Sequence, residues 1–166
     1  MALRTIRVND DPCLKKVCRE VTVFDDRLAE LLDDMFDTMY NANGVGLAGP
    51  QVGVLRRLCV IDCSEDRSQP LELINPVILE SSGIQGDFEG CLSFPGQSGY
   101  VERALRVRFE GYDRNGDLYE YEAEGFLARA VQHELDHLDG LTWQRLKKNP
   151  PKGFEDGGYI DEDGQL

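Results

Sequence analysis

The sequence predicts a single domain that combines α-helices with antiparallel β-strands. Two segments carry apolar residues at helical spacing, Asp26 to about Asn41 and Phe126 to Gly140. Between them lie four strand-like runs, the last two joined by Asn115-Gly116, the strongest short-range hairpin signal. At 166 residues the chain is long enough to bury one sizeable core.

The elements follow in order. Asp11-Pro12 reads as an N-cap with proline at the first helical position, so a short helical turn begins there. In the first long helix, with Asp25 as its cap, Leu28, Leu31, Leu32, Met35, Phe36, Met39 and Tyr40 recur at intervals of three and four. That stripe is core, and its methionines are not ligands. Asn43-Gly44 ends the helix. Gly44–Gly53, GVGLAGPQVG, reads as a shaped loop. It can be a plain connector, and with no strand before its first glycine it does not read as a phosphate loop. Its glycines also let backbone come close to a ligand, and Gln51 offers a neutral N–H donor.

Arg57–Asp62 and Leu71–Leu79 read as strands, the second broken or bulged at Asn75-Pro76, with a polar turn from Asp62 to Pro70 between them. Leu105–Tyr112 and Leu118–Glu124 form the hairpin. In its second strand Tyr119 and Tyr121 alternate with Glu120, Glu122 and Glu124, so one face is solvated. From Asn149 prolines, glycines and acids dominate. The expected organisation is therefore one domain over residues 1–148 and an extended or disordered acidic tail over 149–166.

The net charge of −13 argues against broad nucleic-acid binding and against anionic membrane surfaces, which need clustered Lys and Arg. There is no apolar run of about 18 residues, and no signal-like stretch at the start, so the expectation is no membrane span and a cytoplasmic location. The five cysteines, Cys13, Cys18, Cys59, Cys63 and Cys91, are odd in number and include no C-x-x-C pair, which suits a reducing compartment. Cys59 and Cys63, in RLCVIDC, read as small apolar core residues.

The chemistry concentrates in FLARAVQHELDHLDG, Phe126–Gly140, which holds both histidines of the chain. On a helix His133 and His137, at i and i+4, lie on one face and can reach one metal ion, with Glu134 at the edge of that face. His-Glu-x-x-His is a metal-ligand and general-base arrangement, although two histidines at this spacing can also be an ordinary half-buried pair. An ion held by one helix needs a further protein ligand. Cys91, in EGCLSFPG, is either a free buried cysteine or that ligand, since thiolate partners imidazole well on Zn²⁺ or Fe²⁺. Glu89 is either a loop charge or a carboxylate that orients a ligand histidine.

Three blocks stand in order: Gly44-Val45-Gly46-Leu47-Ala48-Gly49-Pro50-Gln51, then Glu89-Gly90-Cys91-Leu92-Ser93, then Gln132-His133-Glu134-Leu135-Asp136-His137. Together they resemble the three signature motifs of the peptide deformylase family, and the resemblance covers about Asp11 to Leu146. It implies an α+β fold with antiparallel sheets packed around a central metal-binding helix. It also implies hydrolysis of the formyl group from the N-terminal formylmethionine of newly made polypeptides, by attack of a metal-bound hydroxide. Carried over by residue, Cys91, His133 and His137 would hold the metal and Glu134 would be the general base and acid. Gln51 and the backbone N–H of Leu92 would stabilise the oxyanion. The substrate would meet Val45, Gly46, Gly90, Phe126, Arg129 and Ala130. The resemblance implies one ion per chain, Fe²⁺ by preference, with Zn²⁺, Ni²⁺ or Co²⁺ able to substitute.

Some positions depart from the family pattern. Gly49 stands where alanine is usual, which would loosen the loop. Arg129 stands where relatives commonly carry an apolar residue; the expectation is that its stem lines the pocket while its guanidinium reaches water. The acidic tail does not match the basic C-terminal helix by which many bacterial relatives dock on the ribosome. Two rivals are a metallopeptidase, which usually takes a third His or Glu downstream, and an idle relative that keeps the fold for binding.

Overall fold

The computed structural model describes residues 2–152, 154 and 159–161. Helix α1 spans Asp26–Asn41, and the Asp25 side chain accepts from the Leu28 N–H at 3.1 Å as its N-cap. Strand β1 (Gly46–Ala48) leads into a 3₁₀ turn, Gly49–Val52. Then come β2 (Leu58–Ile61), β3 (Leu71–Ser82), β4 (Ile84–Glu89), β5 (Gly99–Arg103), β6 (Arg106–Tyr112) and β7 (Leu118–Glu124). Helix α2 spans Phe126–Leu138, and β8 is Tyr159–Asp161. A five-stranded antiparallel sheet has the order β1-β2-β3-β6-β7; a three-stranded one has the order β5-β4-β8.

Strand β2 shows why the domain closes around α2. All four of its residues are buried, and successive side chains point to opposite faces. Leu58 and Val60 pack with Leu28, Leu31, Leu32, Met35 and Met39 of α1. Cys59 and Ile61 pack with Ala128, Ala130, Val131, Leu135 and Leu138 of α2. The sheet is thus covered by a helix on each face, which a continuous apolar run requires. Burying each large side chain contributes about 1.5–3 kcal/mol, so the two stripes hold both helices to the sheet. On its other side α2 meets the small sheet, where Arg103 of β5 donates to Asp136 of α2 at 3.0 Å.

Several expectations need correction. Gly46–Ala48 lies in the glycine-rich segment read as a loop, yet it pairs with β2 at Cys59–Ile61 as an edge strand. Gly49 does not loosen that segment. A Cβ there would sit 2.6 Å from the Val54 carbonyl oxygen and 2.9 Å from that of Arg56, so glycine lets the chain fold back tightly on itself. Cys59 is fully buried, whereas Cys63 is only half-buried at the end of its run. Strands β4 and β5 fall where no strand was expected. The register of β3 against β6 shifts between Ile74 and Val77, next to Asn75 at φ 51°, in agreement with the bulge expected at Asn75-Pro76. Within the acidic tail, Tyr159–Asp161 pairs with Ile84–Gly86; residues 153, 155–158 and 162–166 of the tail lie outside the described residues. No helix among the described residues is long and apolar enough to cross a membrane.

Candidate metal centre and active site

Gly125, the N-cap of helix α2, has a φ of 65° that turns the chain out of β7. From there the 3.6-residue period brings His133 and His137 onto one face, with ring centroids 5.0 Å apart. The segment that leaves β4 swings Cys91 over them, and its Sγ lies 3.4 Å from His137 Nε2. One ligand atom from each of Cys91, His133 and His137 falls within 4.8 Å of the other two. A soft thiolate and two imidazoles at such separations fit one four-coordinate ion with a position left open.

The tautomer of His133 supports that fit. Its Nδ1 faces Glu89 Oε2 at 2.6 Å, which leaves Nε2 for an ion. Glu89 is held in turn: Arg103 donates from Nε to Oε1 at 2.8 Å and from Nη2 to Oε2 at 2.7 Å, and Arg129 donates from Nη1 to Oε1 at 2.9 Å. Burial alone would raise the Glu89 pKa, but these hydrogen bonds and neighbouring positive charge hold it well below the usual carboxylate range. Burial likewise disfavours charge on His133, yet Glu134, Cys91 and Glu89 outweigh it and push its pKa up to about 10. Burial holds the His137 pKa well below its ordinary value, which favours the neutral ring that a metal ligand would need.

Glu134 is buried, and its Oε2 is 4.0 Å from His133 Nε2. Its Oε1 has no hydrogen-bond partner among the described residues. Burial pushes its pKa up to about 7, where it can exchange a proton at neutral pH. Gly46 makes room for it: a Cβ on Gly46 would come within 2.8 Å of Glu134 Cδ. Gln51 is 1% exposed and its amide is oriented. Its Oε1 accepts from the Ala48 N–H at 2.9 Å, and its Nε2 faces Ser93 Oγ at 3.1 Å and Cys91 Sγ at 3.4 Å.

A cavity of about 360 Å³ opens over this group. Val45, Gly46, Gly90, Leu92, Phe126 and Ala130 line it together with Gln51, Cys91, His133 and Glu134. Arg129 lines it too, but not as expected. It is only 4% exposed, and its guanidinium turns inward to Glu89 rather than out to water, because the buried carboxylate is the stronger partner. Arg103 escaped sequence reasoning altogether; its partners lie 14 and 33 residues away, and no local pattern in GYVERALR singles it out. Phe88 at the pocket mouth, packed edge-on to Tyr100 and Phe154, was also missed.

The model of the family described as polypeptide deformylase matches residues 3–151. The chain belongs to the polypeptide deformylase family. A peptide deformylase of Agathobacter rectalis is 57% identical over 142 residues, 84% of this chain and 87% of that protein. Peptide deformylase 1 of Clostridium perfringens is 51% identical over 86% of this chain and 97% of its own length. Among solved structures, the peptide deformylase of Thermotoga maritima superposes with a TM-score of 0.86 at 39% identity and covers 90% of this chain and all of its own. The α+β architecture around a central helix is thereby the family's own, and the chain is an enzyme of that family. The metallopeptidase and idle-relative alternatives lose their ground.

Proposed function

We propose that this enzyme removes the formyl group from the N-terminal formylmethionine of newly made polypeptides. The observation that carries the reading is the meeting of Cys91, His133, Glu134 and Gln51 in one pocket with apolar walls, in a chain of this family. Cys91 Sγ, His133 Nε2 and His137 Nε2 would hold one divalent ion, Fe²⁺ by preference, with Zn²⁺, Ni²⁺ or Co²⁺ as substitutes. Bound there, the ion supplies Lewis acidity, which polarises a carbonyl oxygen and lets water lose a proton near neutral pH.

The chain's own groups do the rest. Glu134 takes the water proton on its carboxylate and passes it to the leaving amine, a task its pKa of about 7 suits. Gln51 Nε2, with the backbone N–H of Leu92, donates to the oxygen on which negative charge develops; such donors act because they are already in place before reaction. The bond from Ala48 N–H to Gln51 Oε1 sets which end of the amide faces the site. Val45, Gly46, Gly90, Phe126 and Ala130 form the walls on which the methionine side chain packs, and a dry wall strengthens every charge interaction beside it. The five free cysteines support a reducing, cytoplasmic setting.

Anaerobically prepared, Fe²⁺-loaded protein should release formate from a formyl-Met tripeptide and leave every peptide bond intact by mass spectrometry. Peptide-bond cleavage without formate would overturn the assignment.

A further inference from the structure

Arg129 stands between the pocket and the metal-ligand shell. It lines the cavity beside Phe126 and Ala130, and its Nη1 donates to the same Glu89 carboxylate whose other oxygen meets His133 Nδ1. Arg103 already grips that carboxylate with two donors. Arg129 adds a third, from the helix that carries His133 itself. Its Nη2 is buried with no hydrogen-bond partner among the described residues. Burying a guanidinium with a donor unpaired costs stability, and an apolar side chain would fill a pocket wall at no such cost. The favourable interaction of the Arg129 guanidinium is the one with Glu89.

We propose that Arg129 is a positioning residue, which from the pocket wall clamps Glu89 against His133 and so fixes the orientation of a metal-ligating imidazole. The physical reason is angular. A lone carboxylate–imidazole contact leaves the carboxylate free to rock about its last torsion. Arg103 bonds both oxygens of Glu89, and Arg129 adds a second donor on Oε1, the oxygen that does not touch His133. With that oxygen tethered, Oε2 stays against His133 Nδ1, and Nε2 stays free for the ligand cluster. Because Arg129 also borders the cavity, a substrate side chain pressing on that wall leans on the group that aligns the ligand. The proposal rests on the metal-site reading above and is silent on which amide is hydrolysed.

The test compares wild type with Arg129→Met, which keeps an apolar stem of similar reach, and Arg129→Lys, which keeps a charge and a single donor nitrogen in place of the guanidinium fork. Circular dichroism and thermal melts first establish which variants fold. Co²⁺ affinity is measured by competition with a chelator, and the visible Co²⁺ absorption reports ligand geometry without any substrate. R129M should bind Co²⁺ about 10–100-fold more weakly, with an altered spectrum, as expected when a partner beyond the ligands is lost. R129K should recover part of both. In a Glu89→Gln background R129M should add little, because the clamp no longer has a carboxylate to hold. Should R129M prove unstable, R129K against wild type, with the same cycle on Glu89→Gln, carries the test. Wild-type affinity and spectrum in a folded R129M, or an effect fully additive with Glu89→Gln, would overturn the proposal. So would a rise in KM for formyl-Met peptide with kcat and Co²⁺ binding unchanged, which would make Arg129 a specificity wall. Failure of the wild type to release formate would instead count against the deformylase reading, because the Co²⁺ measurements stand without it.

Discussion

Glu89 Oε2 lies 2.6 Å from His133 Nδ1, and the same carboxylate receives three hydrogen bonds from two buried arginines. A carboxylate so held would be the fixed point from which His133 is aimed at an ion. Glu89→Gln keeps the size but replaces an acceptor oxygen with an N–H₂ group, which opposes a guanidinium or the imidazole N–H. Metal affinity should fall about 10–100-fold, measured by chelator competition. The pH dependence follows from the lowered pKa. The stabilisation from ionised Glu89 is fully present above its unfolded value near about 4.3 and is lost as pH falls through the depressed folded value. The stability advantage of wild type over E89Q, read from denaturant midpoints, should therefore shrink as the pH is taken down from about 5. An advantage that grows in acid would contradict the assignment.

Glu134→Gln keeps shape and hydrogen bonding but cannot accept the water proton. The variant should retain its ion while kcat falls by about 10²–10⁴-fold or more. Atomic absorption beside the rate measurement checks both halves. Normal turnover with a full complement of metal would place the base elsewhere.

Gly46→Ala tests the fit of Glu134. The new Cβ would meet Glu134 Cδ at 2.8 Å and Cγ at 3.0 Å, so the carboxylate must shift in a buried site. Metal content should stay near that of wild type, while kcat falls because the proton acceptor is displaced. Unaltered kcat would show that Glu134 has slack in its position.

Gln51→Ala removes the donor at Nε2 and the acceptor of the Ala48 N–H. Turnover should drop by about 10²–10³-fold, the typical loss for one such donor. It should appear mainly in kcat, since the charge develops in the transition state. A rise in KM alone would make Gln51 a residue that only binds the ground state.

Much of the fold, and the histidine pair of the candidate site, could be read from residue order because those parts are local. The i, i+4 histidines of α2, the α1 stripe from Leu28 to Met39 and the Asn115-Gly116 hairpin each depend on neighbours in sequence. What escaped depends on distant partners. Strand β4, IQGDFE, mixes polar, glycine and apolar residues and is a strand because β5 and β8 pair with it. Gly46–Ala48 sits among glycines that favour a loop, and β2 overrides them. The expected exposure of the Arg129 guanidinium failed for the same reason, since its partner Glu89 is 40 residues away and buried. Local spacing locates a helix face; it does not reveal which charge waits across the core.

The central claim is that an ion held by Cys91, His133 and His137 makes this pocket a deformylase. The most direct measurement is formate release from a formyl-Met peptide as Fe²⁺ is added without oxygen to protein stripped of metal. Activity should rise in proportion to bound metal, level off at one ion per chain, and be absent when Cys91→Ala leaves the site unfilled. Full activity in the stripped protein, or none at one ion per chain, would contradict the account.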